Sequence, residues 1–262
     1  MPSRLLCAAL LVLSAASLPA LELQRGKLKL VINDKTGRYA VYGSEDQVRP
    51  VWTPLYLAND LATSKWKLQI ADKVVVLGDD PAFTTAVDQT ATGAKIIWNS
   101  KTVAATLNLD FVLSSGSAVA DGLKLTLLLV NVSQTPFKTG VRWVLDTNLG
   151  EKKDHFRLST DDLVASETKL EGSYPEWWSS RSATDDTFGL LVMLGQGSTP
   201  PSRVIFANWK RLDDSSWDSG FKAGREFNLL PYSFNDSAVA EYWIRRNSAP
   251  VFPARSTSLW VS

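Results

Sequence analysis

The run Leu123–Val132, LKLTLLLVNV, most restricts what this chain can become. It is apolar and β-branched enough to read as a strand buried on both faces. A turn-rich Ser133-Gln134-Thr135-Pro136 follows, then a second strand-like run, Thr139–Leu145. Residues alternate in the second run: Val141, Trp143 and Leu145 share one face, Arg142 and Val144 the other. The pair reads as a core hairpin. It empties into a polar loop holding Asp146, Thr147, Asn148, Glu151, Asp154 and His155. A rigid β scaffold that ends in a polar loop is a common way to present a site.

The rest of the chain supports an all-β reading. Leu21–Gly43 reads as a hairpin, with Lys27–Ile32 outgoing, Asn33–Gly37 turning and Arg38–Tyr42 returning. Trp66–Ile70 and Val74–Leu77 form a second hairpin across Ala71-Asp72-Lys73. Phe83–Gln89, Lys95–Asn99 and Thr102–Leu113 continue the pattern. Asp121-Gly122 signals a turn before the central run. Later strands are Phe188–Leu194, Arg203–Asn208, Ala238–Arg245 and Ser256–Val261. Only Leu158–Leu170 offers a short helix, opening near Ser159-Thr160-Asp161. Short strands with turns every eight to twelve residues argue for a large antiparallel two-sheet sandwich with little helix. No repeat period or long linker divides it, so Leu21–Ser262 is expected to form one β-sandwich domain.

Met1–Ala20, MPSRLLCAALLVLSAASLPA, has the plan of a signal peptide. Arg4 precedes the apolar Leu5–Leu13, and small residues follow. The apolar run is too short to span a bilayer comfortably, so no transmembrane helix is expected in the mature chain. Cys7, the only cysteine, lies inside that segment. Cleavage would leave neither a disulfide framework nor a thiolate metal site. The expected location is therefore exported, in a periplasm or cell envelope. With 28 basic residues against 27 acidic ones, charge offers no reason to expect a nucleic-acid partner.

Several segments together carry a family resemblance. The hairpin GKLKLVINDKTGRYAVYG, the core VRWVLDTNLGE, the loop YPEWW, the stretch RVIFANWKRLDDSSWD and the ending DSAVAEYW…PARSTSLWVS occur in this order. They resemble exported bacterial β domains with a galactose-mutarotase-like supersandwich fold. The resemblance implies two large, mostly antiparallel sheets packed face to face. Sugar mutarotases of that kind use a histidine pair and a glutamate as acid and base. This chain has one histidine, His155, so a two-histidine arrangement is impossible and no catalytic residue carries over.

Three groups of residues are candidates for function. Asp146, Asn148, Glu151 and Asp154 could offer oxygen ligands to calcium. Their spacing matches no EF-hand, and Lys152 and Lys153 oppose a cation, so a solvated loop is the competing reading. His155 beside Asp154 lacks an identifiable acid–base partner. The chain is rich in tryptophan, with ten. Trp98, Trp143, Trp243 and Trp260 lie in strands and are expected in the core. Trp177, Trp178, Trp209 and Trp217, with Arg211, lie in stretches read as loops. They suit either packing or recognition of a glycan or protein surface. The acidic pairs Asp79-Asp80, Asp161-Asp162, Asp185-Asp186 and Asp213-Asp214 read as turns. The sequence thus points to a non-catalytic exported structural or binding protein, not an enzyme, with no obligate cofactor. It is expected to serve a cell-envelope assembly, with another envelope protein or a second copy as partner. Carbohydrate binding, or a mutarotase-like sugar activity, is the alternative.

Overall fold

The computed structural model describes residues 20–56, 63–147, 149, 155–195, 197–244 and, for the backbone alone, 255–261. The signal-like segment lies outside these residues except for Ala20, which opens the first strand. Among the described residues the regular structure is nearly all strand, with one short helix. In order come β1 (Ala20–Arg25), β2 (Leu28–Asn33), β3 (Tyr39–Gly43), β4 (Thr53–Pro54), β5 (Lys65–Ile70), β6 (Lys73–Val76) and β7 (Thr84–Gln89). Next are β8 (Gly93–Asn99), β9 (Val103–Val112), β10 (Gly122–Asn131), β11 (Thr139–Leu145), β12 (Phe156–Leu158), β13 (Leu163–Val164) and β14 (Thr168–Glu171). The last are β15 (Trp177–Arg181), β16 (Gly189–Met193), β17 (Arg203–Asn208), helix α1 (Trp209–Asp214), β18 (Ser237–Ile244) and β19 (Arg255–Val261).

These strands build three antiparallel sheets. A nine-stranded sheet runs β13-β12-β15-β16-β19-β10-β9-β8-β7, and a six-stranded one runs β14-β17-β18-β11-β5-β6. A four-stranded meander, β1-β2-β3-β4, completes the set. One apolar core is common to all three, uniting Leu30 and Ile32, Leu107 and Leu125, and Leu68 and Trp143. At one place it is a tryptophan cluster. Trp66 and Trp143 face each other in register and stack at 5.1 Å, and Trp243 lies 6.4 Å from Trp66. Trp98, Trp143 and Trp243 are buried, as their strand positions predict. Among the described residues no helix is long and apolar enough to cross a membrane.

The central hairpin does not form. β10 pairs with β9 and β19 in the large sheet, whereas β11 pairs with β5 and β18 in the six-stranded one. The connection across Ser133–Pro136 is therefore an arch between sheets. Burial is also exchanged between the two runs. β10 buries Leu123, Leu125, Leu127 and Leu129 on one face, while Lys124 on the other is exposed. It is β11 that is buried throughout. The reason is what lies outside each sheet: α1 and the chain after it cover the outer face of β11, whereas the outer face of β10 stays half-buried or exposed among the described residues.

Two further expectations are corrected. Leu158–Leu170 forms no helix. It becomes the β12–β13 turn, with Asp161 at a positive φ of 65°, followed by β14. A left-handed turn residue cannot continue a helix. The YPEWW stretch is not all loop either, because Trp177 opens β15. Among the described residues the one helix is instead α1, immediately after β17, where the Asn208 side chain accepts a hydrogen bond from the Arg211 amide.

Candidate functional site

β12 and β15 are neighbours at one side of the nine-stranded sheet, paired Arg157 to Ser179 and Leu158 to Trp178. Strand alternation divides their side chains. Phe156, Leu158 and Trp178 enter the core, and Arg157, Trp177, Ser179 and Arg181 line a groove on the outer face. The turns at the strand ends close it with Asp161 on one side and Ser182, Ala183 and Asp186 on the other. Its volume is about 260 Å³. Arg181 is braced by a 2.7 Å bond from Nη1 to the Asp186 carbonyl. Ser179 is 5% exposed, and its hydroxyl, itself closed off from solvent, has no partner among the described residues.

Of the five residues singled out for recognition, only Trp177 reaches this groove. Trp178 is 0% exposed and cannot meet a surface partner. Its indole NH crosses the core and donates to Glu241 Oε1 at 2.9 Å, tying β15 to β18. Trp209 donates to the Thr63 carbonyl at 3.1 Å. Trp217 stands edge-on to Tyr242 at 5.6 Å and lies over Gly140. Both are half-buried and pack against the small apolar cluster on the outer face of the six-stranded sheet. Arg211 pairs with the buried Glu167 at 2.8 Å. The loop tryptophans other than Trp177 are thus framework, because the chain after β17 folds down over the sheet.

That cover is held by cations from beneath. Arg142, fully buried, donates to the carbonyls of Leu212, Ser215 and Trp217. Lys67 Nζ donates to the carbonyls of Asp213 and Ser215. Positive charge at a helix C-terminus complements its exposed carbonyls. Burial, reinforced by the Arg142 charge, draws the Lys67 ammonium down to about 8. Glu167 closes the far end of the cover. It accepts from Arg211, from Arg225 at 2.9 and 2.8 Å, and from the Lys222 amide.

The remaining expected residues are spread out. Asp146 is buried just after β11, where its amide donates to the Ser64 hydroxyl. Asn148, Glu151 and Asp154 lie outside the described residues. Among the described residues no three histidine, cysteine or acidic groups come together as a metal site. His155 Nδ1 lies 3.0 Å from the Ser237 hydroxyl, and the ring packs edge-on against Phe227. The acidic pairs serve turns and ion pairs. Asp80 and Asp185 accept backbone amides, and Asp213 and Asp214 pair with Lys65 and Lys210.

Glu241 escaped the sequence reading. It is 1% exposed, Oε2 has no partner among the described residues, and burial pushes its carboxyl up to about 7. The pattern that could have found it is the alternation Val239, Glu241, Trp243, which places an acid on the core face of a buried strand.

No protein-family model matches the sequence, and neither does any curated protein sequence. Solved structures do match in shape. A galactose mutarotase related enzyme from Lactobacillus acidophilus superposes with a TM-score of 0.59 at 11% identity, over 93% of this chain and 97% of its own. A galactose mutarotase-like protein from Lactobacillus casei gives 0.50 at 10% identity, over 93% and 99%. A candidate aldose 1-epimerase from Escherichia coli K12 gives 0.51 at 12% identity, again over 93% and 99%. At such identities the likeness is one of fold alone. The chain has an all-β, galactose-mutarotase-like architecture.

Proposed function

We propose that this chain is a non-catalytic binding protein of the cell envelope whose ligand is a carbohydrate held in the Trp177 groove. The observation that carries the reading is the composition of that groove: one aromatic face, two guanidinium groups and two carboxylates within about 260 Å³. A sugar ring offers an apolar face of C–H groups and a rim of hydroxyls. Trp177 supplies the platform, Arg157 and Arg181 donate to ring hydroxyls, and Asp161 and Asp186 accept from them. A volume this small suits one sugar unit, with any longer chain running out over the sheet.

Binding without turnover is favoured by what occupies three other acid–base groups among the described residues. Glu167 is held by two arginines, His155 is bonded to Ser237, and Glu241 faces the core. The fold neighbours named for galactose mutarotase and aldose 1-epimerase share this architecture, which supports a sugar as the ligand class. Export rests on the Met1–Ala20 pattern.

The test is isothermal titration with monosaccharides and envelope oligosaccharides against the wild type, Trp177→Ala and Ser179→Ala. Saturable binding should weaken about tenfold or more in Trp177→Ala, as expected for an anchor aromatic, with an unchanged unfolding midpoint. Binding that survives Trp177→Ala, or no saturable heat with any sugar, would overturn the proposal.

A further inference from the structure

The Trp177 groove has a neighbour. A second pocket, about 370 Å³, opens against the same β15–β16 turn, and Ser182 lines both. Along that turn the lining alternates: Ala183 and Asp186 belong to the groove, Thr184 and Asp185 to the second pocket. The far wall is the loop between β3 and β4, which contributes Glu45, Asp46 and Val51.

Both walls are braced by their own hydrogen bonds. In the turn, the Ser182 amide donates to the Phe188 carbonyl at 2.9 Å. Asp185 Oδ1 accepts from the Thr187 amide at 3.0 Å and from its hydroxyl at 2.6 Å. In the loop, the buried Ser44 donates its hydroxyl to the Asp46 carbonyl at 3.0 Å. Asp46 Oδ1 accepts from the Val48 and Arg49 amides at 2.8 and 3.0 Å. A site already in its bound shape loses little freedom on binding. The same bonds hold both carboxyls below the usual carboxylate range, through the Arg49 and Val48 amides for Asp46 and the Thr187 hydroxyl and amide for Asp185. Glu45 adds a third carboxyl group, and among the described residues no lysine or arginine lines the pocket. Arg49 and Arg181, adjacent in sequence, stand outside its lining, and Arg181 is bonded to the Asp186 carbonyl in the groove.

We propose that the second pocket is a further subsite of the Trp177 groove, so that the ligand is an oligosaccharide of at least two units whose unit beyond Ser182 carries no acidic group. The inference rests on the groove reading above and adds to it a length and a charge rule. Each pocket has room for one sugar unit, and Ser182, common to both, marks where the linkage between units crosses the turn. The cavity and its continuity with the groove make the subsite. Val51 and the buried Phe188 give the second unit an apolar wall. The carboxylates choose what enters: they accept from sugar hydroxyls or from the ammonium of an amino sugar, and they repel a uronate or a phosphate.

The test titrates glucose and glucosamine, their α- and β-1,4-linked oligomers of two to four units, and a glucuronate-bearing disaccharide into the full chain by calorimetry. Two units should bind about tenfold tighter than one, with little further gain at four, and the acidic disaccharide should lack that gain. Val51→Ser combined with Glu45→Ala, both exposed positions, should remove the gain with unchanged circular dichroism. Monosaccharide binding in the groove, which neither residue lines, should stay as it was. Glu45→Lys should restore about tenfold to the acidic disaccharide. Monosaccharide binding with no gain from a second unit, or a gain that survives the double variant, would refute the subsite and leave the groove reading standing. Equal gain for the acidic disaccharide would refute the charge rule. No saturable binding at any length would remove the groove reading and this inference with it.

Discussion

Replacing Glu241 with glutamine should change how stability depends on pH. The carboxyl is buried, accepts one hydrogen bond from Trp178, and has its pKa raised by burial from 4.5 to about 7. In the unfolded chain it ionises near its ordinary value. Between those two values the folded state therefore holds a proton that the unfolded state has released, so stability falls as pH rises. The neutral acid's contribution is fully present below about pH 4.5 and is lost by about pH 7. A shift of this size corresponds to about 3 kcal/mol, which the wild type forfeits by pH 8. Glutamine keeps the shape and the acceptor for Trp178 but cannot ionise. Urea unfolding at pH 5 and pH 8, followed by tryptophan fluorescence, measures the difference. The variant should match the wild type within about 1 kcal/mol at pH 5 and exceed it by about 3 kcal/mol at pH 8. An equal pH dependence in both proteins would show that Glu241 reaches water or a cation, and the reasoning would fail.

Two other perturbations probe the cover over the six-stranded sheet. Glu167→Gln leaves Arg211 and Arg225 without their shared buried carboxylate and should cost about 3–5 kcal/mol in chemical denaturation. Faster hydrogen exchange in residues 209–225 should accompany it. Gly140→Ala places a methyl group 2.7 Å from the Trp217 ring, far inside contact distance. It should cost about 1–3 kcal/mol and shift the Trp217 environment in near-ultraviolet circular dichroism, whereas a neutral result would mean that Trp217 moves aside freely.

The local pattern was legible where neighbours in sequence are neighbours in the sheet. The hairpins β2–β3 and β5–β6 follow from alternation and turn residues, and both stand where they were expected. The facing of β11 was equally readable: Val141, Trp143 and Leu145 enter the main core, and Arg142 and Val144 face the other side. The candidate site was legible only in Trp177. Its companions Arg157, Ser179 and Arg181 come together through the β12–β15 pairing, and no short-range motif announces that pairing.

By itself, then, the sequence determined an all-β chain and placed β2, β3, β5–β11 and β16–β19, because side-chain direction has a period of two and turns need particular residues, whereas β12–β15 are too short to show that period and were read as helix or loop. Tertiary structure alone decided which sheet each strand joined and what covered each face. It sent β10 and β11 to different sheets, drew Trp178 into the core, laid Trp209 and Trp217 over the outer face of the six-stranded sheet, and left Leu230, Tyr232 and Phe234 in water. The physical reason is that burial depends on contacts between residues far apart in the chain. Alternation tells which residues share a face, but not what that face will meet.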